Sequence, residues 1–129
     1  MNGRYLLDTN IVIAIFADEA TLRQQLAGAG EVFVPSVVLG ELYYGAQKSA
    51  RVAANVARVD EFASNNAVLS CDVETARRYG ETKSELRAKG RPIPENDVWI
   101  AAIAKQHQLT LVTRDGHFNN VDGLLIEAW

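Results

Sequence analysis

Four acidic residues far apart in the chain, Asp8, Glu41, Asp97 and Asp115, stand where a predicted strand ends or near the start of a predicted helix. Carboxylates repel one another, so a folded domain that gathers several of them needs a positive charge to hold them together. Hard oxygen ligands with no histidine or cysteine among them are typical of Mg²⁺ or Mn²⁺ sites. The four acids therefore predict a site for a divalent metal ion.

A divalent ion held by carboxylates suits the hydrolysis of phosphodiester bonds. The ion attracts the scissile phosphate, lowers the pKa of a bound water and stabilises charge on the leaving oxygen. One or two carboxylates usually bind such an ion directly, and an acid beside the attacking water acts as general base. The chemistry that the acids predict is therefore that of a metal-dependent nuclease.

Polar residues close to the acids in sequence are candidates for a supporting role. Their side chains can hydrogen-bond carboxylates or metal-bound waters, and this group consists of Thr9, Asn10, Asn96 and Thr113. Arg114, beside Asp115, is a candidate for a phosphate contact. A cluster of basic residues before the Pro92 loop is a candidate RNA-facing patch, although acids alternate with it as on a solvated helix face: Lys83, Arg87, Lys89 and Arg91.

Each of the four acids also has an ordinary structural explanation. Asp8 is of a type that caps helices, and Asp97 is of a type that the helix dipole favours in a first turn. Asp115 lies in an Arg-Asp-Gly turn sequence, and Glu41 fits a solvated strip of its helix. Neither histidine has metal-ligand spacing: His107 is predicted at a helix end and His117 in a loop. Only convergence of all four acids at one place distinguishes a metal site.

The elements that must position the acids alternate between short apolar strands and helices. Strands are predicted at residues 4–7, 31–34, 67–70, 110–113 and 124–126, and helices at about 11–16, 18–26, 37–48, 50–63, 73–88 and 94–107. This alternation predicts an α/β fold with a central parallel sheet and helices on both faces. Ligands of such sheets bind beyond the carboxyl ends of the strands, where all four acids can face one edge.

Composition limits the class of protein. With 129 residues and 48% hydrophobic residues, the chain is expected to form one domain over residues 1–129 with its own core. The net charge of −3 argues against a broad basic face for duplex DNA and fits a basic partner segment. No secretory signal or long apolar run is visible, which predicts a cytoplasmic protein without a membrane span. The single cysteine, Cys71, is predicted to be a small buried apolar residue.

Five segments, in order and spacing, are similar to those of PIN-domain proteins, and more closely to the VapC-type toxins of VapBC toxin–antitoxin pairs. They are Leu6-Leu7-Asp8-Thr9-Asn10-Ile11, Pro35 to Leu42 with Gly45, Asn96 to Ala102, Leu111 to Asp115 with His117-Phe118, and Gly123 to Trp129. The resemblance implies a three-layer α/β/α PIN-like fold. It also implies a Mg²⁺- or Mn²⁺-dependent endoribonuclease that cuts cellular RNA, often tRNA or rRNA.

The same resemblance implies which residues act and which partners bind. The acidic positions of the family fall on Asp8, Glu41, Asp97 and Asp115, and the last of them, which is Asn in some relatives, is Asp here. Thr113 matches a polar position near the site. The resemblance further implies a homodimer and a cognate VapB-type antitoxin whose tail covers or enters the acidic pocket.

Two other functions fit parts of the pattern. A PIN-like module that holds RNA or a protein without cutting would share the fold, but the complete acid set argues against it. A phosphate-transfer enzyme would use Asp8 as a covalent nucleophile. Phosphatases of the haloacid-dehalogenase type have a second acid at the position of Asn10, and no suitable lysine follows the third strand here. The RNA cut, the number of metal ions and the dimer face stay open at this point.

Overall fold

A five-stranded sheet, all of it parallel, forms the centre of the computed structural model, which describes residues 3–129. Its strands are β1 (Arg4–Leu7), β2 (Glu31–Pro35), β3 (Ala67–Leu69), β4 (Thr110–Val112) and β5 (Ile126–Glu127). They lie in the order β3-β2-β1-β4-β5. Short runs of apolar residues form these strands because helices cover the sheet and leave little need for polar alternation.

Six helices flank the sheet: α1 (Thr9–Phe16), α2 (Ala20–Gly28), α3 (Ser36–Gln47), α4 (Val52–Ser64), α5 (Val73–Ala88) and α6 (Glu95–His107). A short 3-10 helix, Gly116–Asn120, follows β4. The predicted α/β class with a central parallel sheet is confirmed. The predicted domain of residues 1–129 includes Met1 and Asn2, which lie outside the described residues.

The strand order places a crevice between β1 and β4. From β1 the chain steps to β2 and then to β3 on one side, and the α5–α6 connection then brings it to β4 on the other side of β1. At such a reversal the connecting segments diverge and leave space beyond the strand ends. Asp8 directly follows β1 and Thr113 directly follows β4, so both residues lie at this crevice.

Helix α6 is the most deeply buried helix and fixes one wall of the crevice. Five consecutive residues, Ile100 to Ala104, are fully excluded from solvent. All of them except Ala102 pack in one core with Leu6 and Val112 of the two central strands. Because α6 is held so firmly along its middle, the residues of its first turn, including Asp97, have a fixed position relative to β1 and β4.

Several boundaries differ from the predicted ones by a residue or two, and two of these differences have a local reason. Asp18 adopts a left-handed conformation with φ of 58°, so α2 begins at Ala20 and not at residue 18. The last strand is Ile126–Glu127, later than predicted, because the register pairs Ile126 with Leu111.

No helix among residues 3–129 is long and apolar enough to cross a membrane.

The prediction that Cys71 is buried is wrong, because this side chain is exposed. Strand β3 is the edge strand of the sheet, and its Ala67 and Val68 are themselves exposed. Cys71 lies beyond the end of β3, in the short connection to α5. An apolar run that leads to the edge of a sheet therefore does not carry the next residues into the core.

Candidate active site and metal centre

Asp8 forms the buried centre of the site. Its carboxylate caps α1 by accepting a hydrogen bond from the backbone N–H of Thr9 at 2.8 Å, and its other oxygen accepts one from the Thr113 hydroxyl at 2.7 Å. The residue is only 4% exposed. Burial raises the pKa of Asp8, and these two hydrogen bonds act in the opposite direction. The predicted capping role is thus real, and it fixes the carboxylate at the crevice.

The hydroxyl group of Thr113 joins Asp8 to Asp115. Besides donating to Asp8, its oxygen accepts a hydrogen bond from the backbone N–H of Asp115 at 3.0 Å. Thr113 is 2% exposed, so water does not compete for these bonds. The amide of Asn10 lies 3.5 Å from both Asp8 and Thr113, and its oxygen accepts from the backbone N–H of Arg114. The predicted supporting positions of Thr113 and Asn10 agree with these contacts.

Glu41 lies in the second turn of α3 and reaches the site through Thr9. The Thr9 hydroxyl donates to Glu41 Oε1 at 3.0 Å, so the residue after Asp8 fixes the direction of a second carboxylate. Burial raises the pKa of Glu41, and the negative charges of Asp97 and Asp8 add to this increase. The half-buried Glu41 therefore lies within the field of the other acids and not on a solvated strip.

Asp97 and Asp115 meet at a histidine. His117 Nε2 lies 2.5 Å from Asp97 Oδ2, and His117 Nδ1 lies 2.7 Å from Asp115 Oδ1. Potential ligand atoms of these three residues all lie within 4.8 Å of one another. Burial raises the pKa of Asp97 and so does the charge of Asp8, whereas His117 lowers it.

His117 is the residue that the sequence interpretation missed. The sequence predicts a loop position without metal-ligand spacing for this residue, whereas the structure places it in the 3-10 helix with its ring between Asp97 and Asp115. The 3-10 helix that begins at Gly116 turns the chain sharply, and the Asp115 side chain accepts a hydrogen bond from the backbone N–H of His117. The only signal in the sequence is that His117 follows Asp115 by two residues. This spacing indicates a contact between the two side chains only when the 3-10 turn is known.

A continuous chain of contacts links all four acids. It runs from Glu41 through Thr9 to Asp8, from Asp8 through Thr113 to Asp115, and from Asp115 through His117 to Asp97. The acids come from four separate segments, which follow β1, β2 and β4 or begin α6. Two of these links pass through a backbone N–H, that of Thr9 and that of Asp115, and the others join side chains directly.

Two of the predicted supporting residues take other positions. Asn96 is exposed, and its side chain forms no hydrogen bond with any residue from 3 to 129. Arg114 is bound by protein groups, because its guanidinium pairs with Glu19 at 2.8 Å and donates to the carbonyl of Trp129 at 3.1 Å. The phosphate contact of Arg114 stays a prediction, and the observed contacts tie the C-terminal end of the chain to the Asp115 segment.

The basic cluster in α5 and the segment that directly follows it is partly neutralised. Lys83 pairs with Glu95 at 3.0 Å, and Lys89 pairs with Asp122 at 2.9 Å. Within the described part of the chain, Arg87 and Arg91 form no ion pair. Arg87 and Lys83 line a cavity of about 380 Å³ between α5 and the start of α6. The cluster therefore offers fewer free cations than its sequence indicates.

The donors present fit a hard divalent cation. Asp8, Glu41 and Asp97 all have a raised pKa with burial as the first cause, so their ionised forms lack compensation from water. A cation near these oxygens would favour the ionised forms and remove the mutual repulsion. An oxygen-rich donor set of this kind suits Mg²⁺ or Mn²⁺.

Comparison with known proteins gives one consistent answer. Residues 5–124 match the family model described as PIN domain. The chain is 37% identical to Ribonuclease VapC2 of Haemophilus influenzae and 36% identical to the tRNA(fMet)-specific endonuclease VapC of Shigella flexneri, with 98% of each chain covered in both cases. The structure of DNA-bound VapBC from Salmonella typhimurium superimposes with a TM-score of 0.91 at 32% identity, over 100% of this chain and 99% of that one.

Proposed function

Because the chain belongs to the PIN-domain family and is a VapC-type ribonuclease toxin of a type II toxin–antitoxin system, we propose that Asp8, Glu41, Asp97 and Asp115 hold Mg²⁺ or Mn²⁺ and carry out RNA cleavage. The observation that supports this proposal is the chain of contacts that joins the four acids at the β1–β4 crevice. Structural roles alone, such as caps and turns, do not require four acids to meet.

The residues of the chain divide the work as follows. When bound, the cation supplies a Lewis acid that polarises the scissile phosphate and lowers the pKa of a bound water. Asp8, held by Thr9 and Thr113, provides a carboxylate of fixed direction. Of the two Glu41 oxygens, only Oε1 accepts a hydrogen bond from a described residue, and Oε2 is left to accept a proton from water.

The substrate proposed is cellular RNA, with tRNA or rRNA as the class. The tRNA(fMet)-specific name of the Shigella flexneri relative supports tRNA. Arg87 and Arg91 are the cations of the α5 cluster proposed to contact RNA phosphates, and such contacts position the strand without reading its sequence. A short stretch of RNA laid along α5 would lead past Glu95 toward the first turn of α6 and its Asp97.

A VapB-type antitoxin is the proposed partner, in keeping with the relative solved as a VapBC assembly. A groove of about 200 Å³ between α1, α3 and α4 reaches Glu41 at one end. Apolar residues including Ile13 and Phe16 line it, and Ile13 is 55% exposed. This combination suits a partner segment with an apolar stretch that ends in a basic residue near the acids.

We also propose that the chain is a single domain over residues 1–129, that it forms a homodimer, and that it acts in the cytoplasm. Light scattering tests the dimer, for which the expected mass is twice the 14.1 kDa of one chain. A mass equal to one chain at micromolar concentration would contradict it.

RNA cleavage with matched variants tests the main proposal. Wild-type protein is expected to cut total RNA with added Mg²⁺ or Mn²⁺ and not with EDTA. Asp8→Ala is expected to lower the rate at least about 100-fold because the site loses its buried ligand. Asp72→Ala is the control, since Asp72 caps α5 away from the site and its loss costs about 1 kcal/mol of stability.

Three results would contradict the proposal. RNA that is bound but stays intact in every metal condition would instead support a non-cleaving binding module. Equal rates for Asp8→Ala and wild type would remove Asp8 from the site. A trapped covalent adduct on Asp8 would support phosphate transfer, but both oxygens of this buried carboxylate already accept hydrogen bonds.

A further inference from the structure

His117 places an imidazole ring between two of the proposed metal ligands. Each of its two nitrogens is within 2.7 Å of an oxygen from a different acid, Asp97 on one side and Asp115 on the other. The ring also packs against Phe118, with 4.8 Å between ring centroids, and its side chain is 26% exposed. The position of the ring is therefore determined by three neighbours and not by solvent.

The two contacts cannot both be satisfied by a neutral ring. A neutral imidazole has one N–H and one lone pair, and an ionised carboxylate only accepts hydrogen bonds. A doubly protonated ring donates to both carboxylates, whereas a neutral ring donates to one of them and keeps a lone pair on its other nitrogen. Coordination by His117 therefore requires that this free nitrogen reach an ion shared with Asp97 and Asp115, while the N–H of the other nitrogen donates to a carboxylate.

The separation of the donor atoms agrees with this requirement. With metal–ligand bonds of about 2.1 Å, two ligands of one ion lie at most about 4.2 Å apart. Ligand atoms of Asp97, Asp115 and His117 already lie within 4.8 Å of one another. Small side-chain rotations are sufficient to bring all three onto one ion.

We propose that His117 is a nitrogen ligand of the bound metal, together with Asp97 and Asp115, and that it makes the site prefer Mn²⁺ over Mg²⁺. The inference rests on the metal-dependent function proposed above. Mg²⁺ favours oxygen ligands and dehydrates reluctantly, whereas imidazole becomes a better ligand along the first-row series that begins with Mn²⁺. A site of oxygen ligands alone would discriminate less between the two ions.

Pulsed EPR of bound Mn²⁺ tests the nitrogen ligand directly. The wild-type chain loaded with Mn²⁺ is expected to show a ¹⁴N hyperfine coupling in the electron spin-echo envelope. His117→Asn retains a polar side chain but has no imidazole, so this coupling is expected to disappear. His107→Asn is the matched control, because His107 ends α6 at the opposite end of that helix from Asp97 and the coupling should remain.

Titration calorimetry with MnCl₂ and MgCl₂ tests the preference. The ratio of the Mg²⁺ to the Mn²⁺ dissociation constant is expected to fall about 10-fold in His117→Asn and to stay constant in His107→Asn. Circular dichroism on the same samples establishes that each variant is folded. If His117→Asn does not fold, His117→Gln replaces it in both experiments, and the same loss of coupling is expected.

The outcomes separate this inference from the proposed function. Bound Mn²⁺ without a ¹⁴N coupling in the wild type would overturn the nitrogen ligand and leave metal-dependent cleavage intact. A coupling that persists in His117→Asn, or an unchanged ratio of the two dissociation constants, would also overturn it. No binding of either ion would overturn both the inference and the metal centre itself.

Discussion

Thr113 carries one hydroxyl group that serves two acidic residues of the site. It donates to the Asp8 carboxylate and accepts from the backbone of Asp115. A buried carboxylate oxygen that loses such a donor keeps its desolvation cost without compensation. The position of this single hydroxyl therefore determines whether the segments after β1 and β4 hold their carboxylates in register.

We expect Thr113→Val to lower the free energy of unfolding by about 1–3 kcal/mol because Asp8 loses a buried hydrogen bond. Metal affinity is expected to fall about 10-fold because the Asp8 carboxylate is no longer oriented. Urea unfolding and Mn²⁺ calorimetry measure the two effects.

Thr82→Val is the matched control for this substitution. Thr82 is 1% exposed, and its hydroxyl oxygen has no hydrogen-bond partner among residues 3–129. Replacing that hydroxyl with a methyl group removes a buried polar atom that pairs with nothing, so stability should be unchanged or higher. If the two variants lose equal stability, the hydrogen bond from Thr113 to Asp8 does not contribute to the free energy of unfolding as predicted.

At the scale of elements, α1 and α3 serve the site in two ways. Asp8 caps α1, Glu41 lies in the second turn of α3, and Thr9 bonds both of them, Asp8 through its backbone N–H and Glu41 through its hydroxyl. The exposed faces of the two helices form the groove that leads away from Glu41. The apolar Ile13 lies on that outer face although it is half exposed. The same pair of helices therefore couples the acids to the surface proposed for the antitoxin.

Ile13→Asp is expected to weaken binding of the proposed VapB-type antitoxin by about 10-fold or more, because it puts a charge into an apolar contact. Cleavage of RNA by the free toxin should stay at the wild-type rate. Inhibition curves measure both quantities.

Val73→Asp is the control for the groove, since Val73 is 81% exposed at the start of α5 and does not line the groove. Equal inhibition of Ile13→Asp and wild type by the antitoxin would show that the partner binds elsewhere. A similar loss in Val73→Asp would show that any added negative charge is sufficient.

At the scale of the whole molecule, burial of the acidic site lowers the free energy of unfolding of the metal-free protein. Burial raises the pKa of Asp97 above its ordinary value of 3.8. Between that value and the raised one, the folded chain binds more protons than the unfolded chain, so the stability contributed by this group falls as pH rises through that window. At neutral pH the ionised Asp97 opposes folding until a cation compensates its charge.

Asp97→Asn is therefore expected to be more stable than the wild type at pH 7 in EDTA, and this difference should shrink as the pH falls toward 3.8. Mn²⁺ at about 100 times its dissociation constant should stabilise the wild type by about 2.7 kcal/mol. The variant should gain much less and should not cleave RNA. Urea unfolding at several pH values, with and without Mn²⁺, measures these effects.

Two results would contradict the linkage. A wild type that exceeds Asp97→Asn in stability at pH 7 without metal would mean that the contact with His117 outweighs the burial of charge. Equal stabilisation of both proteins by Mn²⁺ would place the ion away from Asp97.

The sequence by itself determined the elements and identified the four candidate acids. Apolar runs of four or five residues between helices specify a covered parallel sheet, because only such strands are buried on both faces. The positions of Asp8, Asp97 and Asp115 at strand ends and helix starts were also readable, since those local positions follow from capping and turn preferences. Glu41 was readable as a residue of the helix that follows the second strand. Elements were located to within about two residues.

Only the tertiary structure decided which side chains meet. The order of the strands put β4 beside β1, which brought Thr113 to Asp8 across 105 residues of sequence. The 3-10 turn brought His117 between Asp97 and Asp115. Arg114 forms an ion pair with Glu19, which is distant in sequence. Local preferences act over a few residues, whereas these contacts depend on the packing of distant segments, so no pattern along the chain specifies them.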